Sequence, residues 1–318
     1  MRQAGERRRA DAQGKVRGTL VAATDKPILV FQTDFTYAEG AVSSMYGVVK
    51  CVDRELEIFD GTHYIPRYDV WSASYRLYQS LPFWPEGTIY VSVVDPGVGT
   101  PRRACIAKTA SGHYVATPDN GALTHLARHV GIVETREIDE TVNRNPATRG
   151  TSVFHGRDLF GYCAARLASG IISYEQVGSS YPVSEIVRLP MPEPALRDGA
   201  LTGIVDIIDP NFGNAWTNIP RALFEQAGIA YGDLLQLSVR HGDEPVLACR
   251  LPLVRTFGEV EKGHLLAYTN ELMNVSFTMN QESIVERYGI GFGGDWHVSF
   301  TPSGDTLPLG KETINLTR

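Results

Sequence analysis

The stretch YVSVVDPGVGTPRR, Tyr90–Arg103, decides the fold. An apolar run, Tyr90–Val94, reads as a buried strand that delivers Asp95 at its end. Pro96-Gly97-Val98-Gly99 then makes a tight turn, and Arg102 and Arg103 follow. A strand end carrying a carboxylate, a glycine turn and an arginine belongs to an α/β protein, whose ligands bind beyond the carboxyl ends of its strands.

Working outward, the same grammar repeats. Ile28–Gln32 is an apolar run ending at Thr33-Asp34 and reads as a first buried strand. Val42–Val52 has helical spacing, Glu57–Phe59 reads as a strand, and Val70–Leu81 as a helix. Cys105–Thr109 and Tyr114–Thr117 form a hairpin around Ser111-Gly112. Pro118-Asp119-Asn120-Gly121 is turn chemistry before a helix at Ala122–His129, and Phe160–Ala168 is another helix. Strands alternating with helices predict an α/β fold: a doubly wound, mostly parallel sheet in an N-terminal domain over 26–190. Prolines 190, 192 and 194 mark a linker over 191–198. Beyond it strand-like runs dominate (Gly203–Ile208, Leu234–Val239, Val246–Leu251, Leu265–Tyr268, Val275–Thr278). They predict a smaller C-terminal all-β barrel domain over 199–318.

Composition narrows the function. The chain has 318 residues, 43% apolar and 21% charged, with a net charge of −6. That is the balance of a globular protein, with no basic stripe for nucleic acid and no run of about 18 apolar residues for a membrane span. Cytoplasmic localisation is the expectation. Cys51, Cys105, Cys163 and Cys249 lie far apart with no CxxC pair, and read as reduced, buried thiols. Residues 1–25 carry arginines at 2, 7, 8, 9 and 17 without the apolar core of a signal peptide, and read as a poorly ordered extension.

Three segments carry chemistry. Asp34, in FQTDF, suits either of two roles: accepting the two hydroxyls of a ribose, or capping the following helix. Asp95, Arg102 and His155, the last in FHGRDLF (154–160), form a candidate constellation. A guanidinium holds a carboxylate in a fixed fork, and an imidazole takes up a proton near neutrality. The plainer alternative is a surface ion pair and a buried histidine. In DPNFGNAWTNI (209–219) Phe212 and Trp216 suit a flat ring, Asn214 an adenine edge and Asp209 an ammonium group; the alternative is a rigid turn with core aromatics. The remaining histidines lack ligand spacing: His125 and His129 stand four apart without acidic neighbours, and no metal site is expected. The glycine-rich run 289–294 has no helix after it and reads as turns.

Taken in order, TDF (33–35), DPGVGTPRR (95–103), PDNG (118–121), FHGRD (154–158) and DPNFGNAWTNI (209–219) resemble the S-adenosylmethionine (SAM) hydroxide adenosyltransferase family. It is also called the adenosine-forming SAM hydrolase family, and is related to SAM-dependent fluorinases and chlorinases. LAYTN (266–270) and MNQ (279–281) fit less sharply. The resemblance implies an α/β domain and a β-barrel assembled as a homotrimer, with sites at subunit interfaces. It implies that Asp95, Arg102 and His155 are catalytic and hold a water that attacks the ribose C5′, releasing adenosine and methionine. It implies a substrate-binding set of Asp34, Tyr68, Phe154, Asp209, Phe212, Asn214, Trp216, Glu271, Met279 and Gln281. SAM is the substrate partner and no cofactor is implied. The halogenases place an uncharged aromatic at the Asp95 position, because a carboxylate repels an incoming halide. A halide-using SAM transferase and a non-catalytic SAM- or adenosine-binding protein are the alternatives.

The chain departs from the family in three places. Thr36 stands where the family has glycine, and Tyr46 where it has lysine. The family's Asn-Ser-x-Gly segment, which binds the methionine carboxylate, reads Asn270-Glu271-Leu272-Met273. Either the register shifts there or the substrate tail differs.

Overall fold

The structure is a computed structural model and describes residues 26–306, so the arginine-rich segment read as an extension lies outside the described residues. The N-terminal domain runs β1 (Leu29–Thr33), α1 (Ala41–Val52), β2 (Ile58–Thr62), α2 (Val70–Ser80), β3 (Ile89–Val93), β4 (Ala104–Thr109), β5 (Tyr114–Pro118), α3 (Thr124–His129), β6 (Ile132–Glu137), α4 (Glu140–Asn143), α5 (Tyr162–Ala168) and β7 (Ser180–Tyr181). Its sheet has the order β2-β1-β3-β5-β4-β6-β7. The first four strands pair in parallel. The remaining three pairings are antiparallel, so the sheet is mixed, with its parallel block at the end the sequence pattern defines.

The sheet is buried on both faces, which is why its parallel strands read as unbroken apolar runs. On one face Leu29 and Phe31 pack with Met45 and Val49 of α1 and with Phe160 and Ala164. On the other, Val30 and Tyr90 pack with Leu77 of α2 and with Leu123 and Leu126. In α1 the buried residues Val42, Met45 and Val49 recur at helical spacing. At the start of α2 the Asp69 side chain accepts the Ser72 N–H at 2.9 Å, a side-chain cap. Because α1 covers one face and α2 the other, the chain reverses direction between β1 and β3. The crevice for a ligand opens at such a switch point.

The C-terminal domain runs β8 (Ala195–Arg197), β9 (Ala200–Ile208), β10 (Ala215–Pro220), α6 (Arg221–Gln226), β11 (Asp233–His241), β12 (Glu244–Pro252), β13 (Leu265–Thr269), β14 (Asn274–Met279), α7 (Ile284–Tyr288) and β15 (Trp296–Thr306). The order is β12-β11-β15-β9-β10-β14-β13, antiparallel throughout, with β8 beside β9. A bridge between Leu253 and Ala267 brings β12 against β13, so the sheet nearly closes around a core that includes Leu201, Phe224, Leu237, Phe277 and Phe300. The segment read as a linker thus supplies a short strand to this sheet.

The two domains meet on a buried polar seam. His125 Nε2 lies 3.0 Å from Asp206 Oδ1, and its Nδ1 lies 2.9 Å from Ser74 Oγ. Trp71 Nε1 donates to the Asp206 carbonyl at 2.6 Å. The acidic partner that local sequence does not give His125 arrives from β9. All four cysteines are unpaired; Cys51 is exposed, which corrects the expectation that all are buried. Among the described residues no helix is long and apolar enough to cross a membrane.

Candidate active site

Parallel pairing of β1 with β3 places Thr33 opposite Val93, so Asp34 and Asp95 leave the sheet side by side at its carboxyl edge. They line one cavity of about 320 Å³ together with Phe35, Tyr68, Phe154 and His155. Glycines shape this end. Gly99 takes a φ of +77° in the turn after Asp95. Gly156 packs so closely on Phe35, Val93 and Phe154 that an added Cβ would sit 3.3–3.4 Å from each.

The three residues named from sequence are in contact. Arg102 Nε donates to Asp95 Oδ1 at 3.0 Å, and its Nη2 donates to Asp95 Oδ2, a bidentate fork. The same Nη2 lies 2.9 Å from His155 Nδ1. A guanidinium only donates, so Nδ1 is the acceptor and the imidazole proton sits on Nε2. Nε2 in turn lies 2.9 Å from Ser152 Oγ and donates to it. The Phe160 ring supports the guanidinium from 5.3 Å. Burial, and after it the charge of Arg102, lowers the His155 pKa and favours the neutral ring. His155 opens a single turn of π-helix, Gly156–Gly161, a geometry often found at functional sites.

Asp34 is not a helix cap: α1 starts at Ala41 behind Gly40, and the Asp34 carboxylate instead accepts the Tyr68 N–H at 2.9 Å. Burial raises its pKa, opposed by that N–H. Thr36 has φ +59° and Tyr68 φ +66°. Left-handed backbone at Thr36 explains why glycine suits that position in the family. Tyr46, in place of the family's lysine, directs its hydroxyl to Asp60 and to His63 Nε2.

A second cavity, about 740 Å³, lies in the C-terminal domain and is lined by Asp209, Phe212, Asn214, Met279 and Gln281, with Phe257. Asp209 organises its loop: Oδ1 accepts the Asn211 and Phe212 N–H groups at 3.0 and 3.3 Å, and Oδ2 accepts Asn214 Nδ2 at 3.1 Å. Asn214 Oδ1 accepts from Thr278, which leaves the Asn214 side chain one N–H for a ligand. Gly213 is required here: its φ is +68°, and a Cβ would fall 1.9 Å from Ser283 Oγ. Trp216 does not line this cavity. It donates to Tyr268 Oη at 2.9 Å and walls a third cavity of about 470 Å³, which also holds Glu271.

The Glu271 register is settled by its turn. Asn270 Oδ1 accepts the Leu272 and Asn274 N–H groups at 3.0 and 3.1 Å, and Met273 has φ +62°. The position that is glycine in the family is left-handed here, so the segment has not slipped. The first and second cavities share no lining residue, and the ten substrate-binding positions therefore fall into separate groups on one chain. Sequence reading missed Ser152 and Phe257. Ser152 lies three residues before His155, within reach, but a lone serine carries no motif. Phe257 opens a single 3-10 turn, Phe257–Glu259, too short to leave a periodic pattern.

This arrangement defines an α/β protein with a carboxylate–guanidinium–imidazole centre at a sheet switch point, joined to a nearly closed antiparallel sheet bearing a second cavity lined by Phe212 and Phe257. The SAM hydroxide adenosyltransferase N-terminal domain matches residues 29–178, and the C-terminal domain of the same name matches 203–297. The chain belongs to the SAM hydroxide adenosyltransferase family. It is 33% identical to an (R)-S-adenosyl-L-methionine hydrolase of Salinispora tropica, over 83% of this chain and 94% of that one. It is 34% identical to a protein of the same name from Thermus thermophilus, over 83% and 96%. A fluorinase of Actinopolyspora mzabensis is 28% identical over 84% and 95%. Among solved structures, an uncharacterized conserved protein from Thermotoga maritima superposes with a TM-score of 0.77 at 31% identity, over 86% of this chain and all of that one.

Proposed function

We propose that this chain hydrolyses SAM to adenosine and methionine by attack of water at the ribose C5′. The observation that carries the reading is that Asp95 and His155, tied together by Arg102 behind them, line one cavity with Asp34. Asp34 accepts the ribose 2′ and 3′ hydroxyls, and Tyr68 and Phe154 line the ribose and sulfonium. Phe212, Asn214 and the backbone near Met279 and Gln281 hold adenine, and Asp209 faces the ammonium group.

The water's lone pair forms the C5′–O bond while the C5′–S pair returns to sulfur. Methionine leaves as a neutral thioether, so neither a general acid nor a cofactor is needed, and the net products include one proton. The work is to position and polarise water, which is an electrostatic task. Both His155 nitrogens are engaged, Nδ1 by Arg102 and Nε2 by Ser152. The carboxylate of Asp95 is therefore the group that accepts the water's hydrogen bond. Arg102 fixes it in place, and His155 fixes Arg102. A buried carboxylate at this point favours water over a halide anion.

The separate cavities favour a site shared between chains, with the Asp95 half of each site facing a neighbour's Asn214 half, and we propose a homotrimer working in the cytoplasm. Tyr68 and Phe212 are 69% and 71% exposed in the single chain, as groups awaiting a ligand and a neighbour would be. Mixing inactive Asp95→Ala chains with inactive Asn214→Ala chains should restore about a quarter of wild-type activity if sites are shared in this way, and none if each chain builds its own.

Incubation with SAM and chloride tests the reaction. Adenosine as the sole nucleoside is expected. 5′-Chloro-5′-deoxyadenosine would assign a halogenase, and adenosine binding without SAM loss would assign a binding protein. Because the named hydrolases specify the (R) form, both sulfonium epimers belong in the assay.

A further inference from the structure

We propose that Glu271 selects the tail of the substrate, and that the preferred adenosyl sulfonium carries a terminal ammonium group without a carboxylate. The proposal rests on the functional reading above, since it needs adenine in the C-terminal cavity. That cavity and the third, 470 Å³ cavity share Asp209, Pro210, Asn211 and Phe212. A ligand with its base in the 740 Å³ cavity and its tail passing Asp209 therefore enters the 470 Å³ cavity, where it meets Trp216, Arg76, Gln79 and Glu271.

The charges there do not suit a zwitterion. Among the residues of one chain that line it, Asp209 and Glu271 stand against one guanidinium, Arg76, an excess of one negative charge on this side of the site. Arg76 is already engaged by the chain itself: one nitrogen donates to Gln79 Oε1 at 2.6 Å and another to the Ile208 carbonyl at 2.8 Å. Gln79 Nε2 then donates to Glu271 Oε1 at 3.1 Å. This relay across the domain seam ties the exposed Glu271 carboxylate to the cavity wall and turns the arginine fork toward neutral partners. An ammonium tail meets two carboxylates, whereas a methionine tail places its own carboxylate among them. Specificity by repulsion of the wrong ligand is a common device.

The test compares SAM with decarboxylated SAM as substrates of the full chain, as wild type and as Glu271→Gln, which keeps the shape and an acceptor for Gln79. Adenosine affinity serves as the folding control. Wild type should show a kcat/KM for the decarboxylated substrate at least about tenfold above that for SAM, and Glu271→Gln should erase most of that ratio. A wild-type preference for SAM, or a ratio unchanged by Glu271→Gln, overturns the assignment of Glu271 while leaving hydrolysis intact. If wild type cuts neither substrate, the functional reading fails and this inference with it.

Discussion

At the scale of single residues, the centre divides its labour by what each group is able to give. Arg102 only donates, Asp95 only accepts, and His155 sits between Arg102 and Ser152 with both nitrogens engaged. Asp95→Asn should therefore lower kcat by about 10²–10⁴ while leaving adenosine affinity intact, which single-turnover and binding measurements separate. Asp34→Ala should do the opposite and weaken adenosine binding; unchanged affinity would refute the ribose assignment. Asp34 also sets a pH dependence. Its pKa is raised by burial, and a protonated carboxyl accepts ribose hydroxyls poorly, so activity is lost as pH falls through that raised value. The acid limb of kcat/KM should accordingly lie above the ordinary aspartate value, and a limb at or below that value would contradict it. Asp95, Arg102 and His155 were legible because each sits in a motif with a turn or an aromatic beside it. Ser152 was not, since its role exists only once the His155 ring is fixed by Arg102 from 53 residues away.

At the scale of elements, β1 and β3 do the placing, and their apolar runs ending in Asp made that readable. Four of the five non-glycine residues with positive φ among the described residues, Thr36, Tyr68, Met273 and Gln281, lie in turns around the cavities with φ between +58° and +66°; the fifth is Asp198. Such residues cluster where a surrounding structure over-determines them. Met273 is 64% exposed, so Met273→Gly should raise stability by about 0.5–1 kcal/mol, read as a higher denaturation midpoint. A lower midpoint would mean that its side chain has a packing role. Five strands escaped the sequence reading: β6, β7, β8, β10 and β15. β10 lay hidden in WTNI, where the aromatic and amide pointed to a site. β15 contains Pro302 and Gly304, which read as turns. In the fold β9 pairs only with residues 297–300 of β15, and Pro302 lies beyond them, next to a register shift in the β11 pairing, where a proline is tolerated.

At the scale of the whole molecule, two domains are joined by a polar seam that no local pattern reveals. His125 and Asp206 are 81 residues apart and fully buried. Removing one partner leaves the other without its hydrogen bond in the interior, so Asp206→Ala should cost about 3 kcal/mol in denaturant unfolding. A change under about 0.5 kcal/mol would show that the seam does not hold the domains together. The same seam sets the C-terminal cavity apart from the chain's own Asp95, with no lining residue in common, as the proposed sharing of a site between chains requires. The pattern change near Pro190 was legible from composition, but the separation of the two half-sites was not, because it depends on how the domains are set against each other. The most direct test of the chemistry is hydrolysis of SAM in water enriched in oxygen-18. Attack at C5′ by a water on Asp95 predicts one heavy oxygen in the 5′ hydroxyl of adenosine and none in methionine. Release of 5′-methylthioadenosine, or of adenosine without the label, would contradict it.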